Sequence, residues 1–221
     1  MTGLSLAIAH AVKLALLAAL VGVVARGRVR LCWAFPAYVL TALLANCLVS
    51  FWPLRFHTPG SWVVFQGAFD LLKMLLVLEL AWRAFAVFPG ALRSARLVLF
   101  SLLGASTVLI ALFTPPSSYA TVWNFQSSVV TGTLWLLTAT ALLVVWYQIP
   151  VHDWQRAIML GLAPYLLVFV ASLDILRRHG WAASGSAGLL DQLGYLALIV
   201  FWAWAAWRRD SAGTIPAEKA A

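Results

Sequence analysis

An acidic and a basic residue, Asp70 and Lys73, lie in the middle of an apolar stretch that runs from Trp62 to Phe85. A spacing of three residues places the two charges on one face of a helix, and Gln66 lies one turn before them. A helix of this length crosses the hydrocarbon core of a bilayer, about 30 Å thick, so Lys73 is expected near the midplane. A charge at that depth costs at least about 2.5 kcal/mol. We therefore expect this face to be turned into a protein interior that other helices enclose.

Charged side chains within a membrane-spanning helix permit two interpretations. They can line a site that binds a ligand or carries an ion across the membrane, which is the default hypothesis for intramembrane charges. They can also form a structural ion pair that fixes helix packing, with either Lys73 or Lys13 as the partner of Asp70. Both interpretations require several further helices around this one.

The composition places the chain among membrane proteins. Of its 221 residues, 63% are hydrophobic and only 10% are charged, and the mean hydropathy is +0.93. Soluble domains carry about 25% charged residues. The net charge of +8 comes from basic residues in short loops beside apolar segments, which is typical of residues that orient helices in a membrane. We therefore expect the lipid bilayer, and not a nucleic acid, as the partner of this surface.

Seven apolar segments have the length of a membrane span, and Gly, Pro and Arg residues separate them. The sequence thus predicts an all-α fold, a single seven-helix transmembrane domain over residues 1–207, followed by a disordered tail over residues 208–221. Seven spans leave no room in these 221 residues for a soluble catalytic or output domain. The predicted spans cover about residues 4–25, 31–52, 62–85, 97–113, 122–147, 157–176 and 188–207.

The distribution of basic residues predicts the orientation of the bundle. Ten lysines and arginines lie on the side of the tail and of the loops after spans 1, 3 and 5, if Arg83 at the end of span 3 is counted, whereas three lie in loops on the opposite side. Because cytoplasmic loops are enriched in Lys and Arg, we expect the amino terminus outside and the carboxyl terminus in the cytoplasm. The Ala-, Leu- and Arg-rich, lysine-poor composition is typical of a GC-rich bacterial genome. We therefore expect a multi-pass protein of the cell inner (cytoplasmic) membrane.

Polar residues are concentrated in the predicted outer half of the spans, with two lysines at its base. If they converge, they form a pocket whose cations suit a small polar or anionic ligand. If they do not, each forms an interhelical hydrogen bond, typically worth about 0.6 kcal/mol. The candidate ligand-binding residues are His10, Lys13, Asn46, Gln66, Asp70, Lys73, Asn124 and Asp191.

Several specific chemistries lack their motifs in this sequence. It contains no G-x-S-x-G, no P-loop, no G-x-G-x-x-G and no Cys/His cluster with zinc spacing. Three of the four histidines fall in loops, and the last span has no lysine that could hold retinal. We therefore predict no catalytic residue, no metal and no cofactor. Glu79 and Arg83 have the spacing and order of a helical ion pair, which we interpret as structural.

Three functional hypotheses follow from this pattern. The first, which we favour, is a receptor-like or accessory membrane subunit that binds a small ligand in its outer half. It would act through a membrane or cytoplasmic partner protein. The second is a small-solute or ion transporter that uses Lys13, Asp70 and Lys73 within the membrane. The third, a membrane-embedded enzyme, is disfavoured because the sequence shows no nucleophile, metal or paired-carboxylate motif.

Overall fold

The computed structural model describes residues 3–56, 58–86 and 119–209, and within these ranges the regular structure is helical, without a strand. The all-α prediction is therefore confirmed. Two short 3₁₀ turns, Arg28–Leu31 and Gly180–Ala183, lie between α-helices. The α-helices are α1 (Gly3–Ala25), α2 (Ala34–Phe51), α3 (Pro53–Phe56), α4 (Pro59–Phe85), α5 (Tyr119–Trp146), α6 (Asp153–His179) and α7 (Ser184–Trp207).

Five of these helices are long and apolar enough to cross a membrane, which makes the chain a multi-pass membrane protein. They lie in α1, α2, α5, α6 and α7 and correspond to the first, second, fifth, sixth and seventh predicted spans. The third predicted span is α4, a helix of 27 residues that is not among the five. Its described side chains include Asp70, Lys73 and Glu79, which reduce its apolarity. The fourth predicted span, residues 97–113, and residues 210–221 of the predicted tail lie outside the described residues.

Two helices begin earlier than their apolar segments because polar residues cap them. The Thr58 side chain accepts a hydrogen bond from the Ser61 N–H at 3.3 Å, and α4 begins at Pro59, not at Trp62. At α6, the Nδ1 atom of His152 accepts from the Trp154 N–H at 3.2 Å. Such caps satisfy backbone donors at a helix start, and they are polar by necessity. The hydropathy pattern therefore underestimates the length of both helices.

The six long helices pack side by side in a closed ring in the order α1, α2, α4, α5, α6, α7, and α7 returns to α1. α4 also touches α6 across the ring. The interior holds a continuous apolar core, because each helix turns one stripe of aliphatic and aromatic side chains inwards. Its most deeply buried side chains include Leu16, Phe35, Leu76, Leu137, Leu162 and Trp202.

Glycines allow close approach where α6 and α7 cross. A Cβ atom at Gly161 would lie 2.7 Å from the indole nitrogen of Trp202, and one at Gly194 would lie 2.8 Å from a methyl group of Val168. Small residues at helix contacts are the usual means of close packing in membrane proteins, where lipid provides no hydrophobic force between helices. α6 and α7 therefore pack closely at these two positions.

One end of the bundle is held by Arg28, and we call it the Arg28 end. Arg28 is buried, and its guanidinium donates to the carbonyls of Ala205 at 2.7 Å, Ala206 at 3.2 Å and Arg208 at 2.7 Å. These carbonyls close the carboxyl end of α7, where a cation is favoured by the helix dipole. The turn after α1 is thereby tied to the last helix of the ring. The ring of Trp154 lies 5.4 Å from the guanidinium carbon.

Glu79 caps the amino end of α2 from the neighbouring helix α4. Its carboxylate accepts from the backbone N–H groups of Trp33 at 3.1 Å and Ala34 at 2.8 Å. The Arg83 guanidinium donates to the same carboxylate at 2.7 Å, so the predicted Glu79–Arg83 pair is present. The thiol of Cys32 also donates to Glu79, at 3.4 Å. Burial, together with the nearby carboxylate, raises the pKa of the Cys32 thiol to about 12.

Candidate functional site

The charged pair predicted on α4 is formed and buried. The Nζ atom of Lys73 lies 2.6 Å from Oδ1 of Asp70, and the two side chains are only 3% and 8% exposed. The side-chain amide of Gln66, one turn earlier, donates to the same carboxylate at 3.3 Å. The helix itself brings these three residues together, since residues three and four apart share a face.

Aromatic side chains of α6 surround the Lys73 ammonium. Its nitrogen lies 4.5 Å from the centre of the Phe169 ring and 6.0 Å from the centre of the Tyr165 ring. The two rings are stacked, with centres 6.0 Å apart. Cations are attracted to the faces of aromatic rings, more strongly where water is excluded. The carboxylate of Asp70 and these rings together compensate the charge of Lys73.

A second carboxylate, Asp191 on α7, belongs to the same site. The hydroxyl of Tyr165 donates to it at 3.4 Å, and it lies within electrostatic range of both Lys73 and Asp70. Asp191 is only partly buried, in contrast to Asp70. The Tyr195 ring, also on α7, lies 5.6 Å from that of Tyr165. Tyr165 therefore contacts both the ammonium of α4 and the carboxylate of α7.

Tyr38 joins helix α2 to this group of residues. It is 2% exposed, and its hydroxyl lies within interaction distance of that of Tyr195. Its ring packs edge-on against Trp202 and Phe69, with centres 6.0 Å and 6.4 Å apart. A buried tyrosine hydroxyl needs a polar partner, and the hydroxyl of Tyr195 is one for that of Tyr38. We call the whole set the Lys73 cluster: Tyr38, Gln66, Asp70, Lys73, Tyr165, Phe169, Asp191 and Tyr195.

The central members of the cluster lie at one level of the bundle. Lys73, Tyr165 and Tyr195 are each twelve residues from the terminus of their helix at the Arg28 end. At 1.5 Å per residue this is about 18 Å along each helix. Three helices, α4, α6 and α7, thus contribute polar groups at one level near the middle of the ring, and Tyr38 of α2 lies closer to the Arg28 end.

Other predicted site residues lie in separate surroundings. The side chain of His10 is exposed, and the ammonium of Lys13 donates to the Ser50 hydroxyl at 2.6 Å. The amide of Asn46 donates to the carbonyl of Ala42 in its own helix at 2.8 Å. The side chain of Asn124 lies outside the described residues. In the described part of the chain, Asp70 therefore pairs with Lys73 and not with Lys13, while Gln66 and Asp191 join them.

Sequence reasoning did not include the aromatic members of the cluster. Tyr38, Tyr165 and Tyr195 lie within predicted spans, at a distance from the interfaces where tyrosine is usually enriched. A tyrosine in the apolar interior of a span requires a hydrogen-bond partner. The position of these three tyrosines could therefore have indicated that they belong to a polar cluster. Phe169 carried no such signal, because its packing against an ammonium depends on the arrangement of two helices.

The cluster can recognise polar and charged groups, since it combines two carboxylates, an ammonium, phenol hydroxyls and aromatic faces. In the described ranges no group of three His, Cys, Asp or Glu side chains is arranged to hold a metal ion. The Lys73 cluster is a polar region between helices α2, α4, α6 and α7. No known protein family, no curated protein and no solved structure matches this chain.

Proposed function

We propose that this protein is a receptor-like or accessory subunit of the bacterial inner membrane. In this proposal the Lys73 cluster binds a small polar ligand from the outer side of the membrane. The resulting change in helix packing is passed to a partner protein. The observation that carries the proposal is the buried Lys73–Asp70 pair, which contacts α6 and lies within electrostatic range of a carboxylate of α7.

The energetics of buried charges favour binding over simple packing. Removing an ammonium and a carboxylate from water costs several kcal/mol each, and apolar residues of similar volume often stabilise a fold as well or better. Charges kept within a membrane protein therefore favour a functional role. A ligand that competes for Asp70, Lys73 or Asp191 would alter contacts between α4, α6 and α7 together. Such a shared change in helix packing is the means by which the proposed receptor would signal.

The proposal includes seven spans, with the amino terminus outside. The 27 residues of α4 would extend about 40 Å, enough to cross a bilayer, and its charged face is turned into the ring. The excess of basic residues in alternate loops supports the orientation. In this orientation the Arg28 end is cytoplasmic and the Lys73 cluster lies near the bilayer midplane.

A transporter is the alternative, and Pro164 is the observation that favours it. Pro164 lies within α6, directly before Tyr165, and a proline removes one backbone hydrogen bond from its helix. α6 continues as one helix through Pro164, and a proline at this point would let it bend while a transporter exposes the site to each side in turn. The two proposals differ in whether the Lys73 cluster is reached from one side of the membrane or from both.

Thiol labelling tests accessibility and separates the two alternatives. Gln66→Cys would be made in a protein lacking Cys32 and Cys47, and a membrane-impermeant maleimide would be added to right-side-out and inside-out vesicles. We expect labelling from the outer side only for a receptor, and from both sides for a transporter. Leu76→Cys, on the same helix and fully buried, is the matched control that stays unlabelled. Protection of Gln66→Cys from both sides would show that the cluster serves packing alone.

A further inference from the structure

The Lys73 cluster contains more negative than positive charge. Lys73 is the one cation among the cluster residues and pairs with Asp70, whereas Asp191 lies near it without a salt bridge. With both carboxylates ionised, the cluster carries one excess negative charge. Lys13, the second cation expected from the sequence, is engaged with Ser50 instead. An anionic ligand would therefore meet an ammonium that is already paired, beside a second carboxylate. This reverses the charge preference that the sequence suggested.

The cluster consists of two similar halves that share Tyr165. In one half the ammonium of Lys73 is held by Asp70 and by the rings of Phe169 and Tyr165. The other half also has a carboxylate, Asp191, with the Tyr165 hydroxyl as donor and the neighbouring Tyr195 ring. Among the described residues no basic side chain lies within salt-bridge distance of Asp191. The second half thus has the chemistry that holds an ammonium in the first.

We propose that the ligand of the Lys73 cluster is a small organic ammonium, bound by Asp191 and covered by the rings of Tyr165 and Tyr195. The carboxylate supplies the opposite charge, and aromatic faces attract ammonium groups at close range. Asp191 is partly exposed and has no salt-bridge partner among the described residues, whereas Asp70 is enclosed with Lys73. This inference rests on the proposed binding function and specifies the class of its ligand.

The thermal stabilisation of the protein by simple ions tests the inference. The full-length protein would be purified in detergent, and its thermal unfolding would be followed through tryptophan fluorescence. Methylammonium chloride and sodium acetate would be titrated at constant ionic strength set with sodium chloride. We expect methylammonium to raise the unfolding midpoint saturably and acetate to leave it unchanged, because a ligand that binds the folded state stabilises it.

Variants of Asp191 identify the binding group. Asp191→Asn is expected to weaken methylammonium binding at least tenfold, and Asp191→Glu is expected to retain it. Asp174→Asn is the matched control, because Asp174 is a partly exposed carboxylate of α6 paired with Arg178 outside the cluster. If Asp191→Asn fails to fold, Tyr195→Leu replaces it and is expected to weaken binding in the same direction.

Three results would overturn the inference. Acetate could raise the unfolding midpoint, methylammonium could raise it equally in the parent and in Asp191→Asn, or methylammonium could leave it unchanged. The labelling of Gln66→Cys shows which proposal has failed. If that cysteine is labelled from outside while methylammonium has no effect, the cluster is a binding site for another class of ligand. If it is protected from both sides, the proposed binding function itself is wrong.

Discussion

At the scale of single residues, the stability of the Lys73 ammonium depends on neighbours from two helices. Asp70 supplies an opposite charge at 2.6 Å, and the Phe169 ring lies 4.5 Å away. With 3% of its side chain exposed, Lys73 cannot reach water to compensate for the loss of either contact. Removal of one partner from a buried ion pair is therefore far more harmful than removal of both.

Replacement of Asp70 should reveal this asymmetry. Asp70→Leu leaves a buried, unpaired ammonium and is expected to destabilise the protein by about 3–5 kcal/mol. The double variant Asp70→Leu, Lys73→Met is expected to recover most of that loss, because neither charge remains. Thermal unfolding in detergent measures the stability of the single and the double variant. Asp174→Leu, which breaks the exposed pair with Arg178, is the control and should have little effect. A double variant as unstable as Asp70→Leu would show that the unpaired ammonium is not the cause of the instability.

The reactivity of Cys32 is a second prediction at this scale. Its thiol is buried beside Glu79, and burial raises the pKa of that thiol, so that little of it is ionised at pH 8. Because the thiolate is the reactive form, N-ethylmaleimide should not modify Cys32 in the folded protein at that pH. In a Cys47→Ser background, mass spectrometry should detect the adduct only after denaturation. Rapid modification of the folded protein would show that the thiol is exposed.

At the scale of helices, the Arg28 end depends on caps that come from other elements. α2 begins without a capping side chain of its own, and Glu79 of α4 accepts its first N–H groups. The end of α7 likewise has no basic residue in its last turn, and Arg28 from the turn after α1 donates to its carbonyls. These caps connect helices that are far apart in the sequence. They should therefore contribute to the assembly of the ring as well as to each helix.

Replacement of Arg28 tests the cap of α7. Arg28→Met leaves buried carbonyls without their donor, and each such loss costs about 1–3 kcal/mol. Arg28→Lys should recover only part of the stability, since an ammonium cannot reproduce the planar guanidinium fork. Arg30→Met, an exposed residue of the same turn with the same change of charge, is the matched control and should remain close to the parent. Equal loss in the Arg28 and Arg30 variants would show that the charge of the loop, and not the cap, is responsible.

At the scale of the whole molecule, the six long helices of the described residues form a ring around the Lys73 cluster. Their outer faces carry large exposed apolar side chains, including Leu14, Leu44, Trp135, Leu142 and Val145. Five of the helices are apolar enough to cross a membrane, and such faces suit contact with lipid. A polar cluster within an apolar core, surrounded by an apolar exterior, is the arrangement expected of a membrane protein with an internal site.

Reporter fusions test the proposed orientation. An enzyme that is active only in the cytoplasm should be active when fused after Arg209 or inserted within residues 90–96. It should be inactive when inserted within residues 115–120, which are predicted to lie outside. A periplasm-active reporter at the same positions is the control and should give the opposite pattern. A reversed result at any site would show that the proposed number of spans is wrong.

Part of the site could be predicted from spacing alone. Gln66, Asp70 and Lys73 share a helix face because of the helical repeat, and their contacts are therefore local. Glu79 and Arg83 form a pair for the same reason. Lys13 was considered as an alternative partner of Asp70, but its contact with Ser50 depends on how α1 packs against α2. Contacts between helices cannot be derived from the period of one helix.

The sequence by itself determined the membrane class, the all-α fold and the local ion pairs of α4. These properties follow from composition, from the length of apolar segments and from the 3.6-residue repeat, all of which are local. Only the tertiary structure decided that Asp191 and Tyr165 approach Lys73, that Tyr38 approaches Tyr195 and that Arg28 caps α7. The reason is that helix order and rotation arise from close packing, such as that at Gly161 and Gly194, between segments distant in the chain.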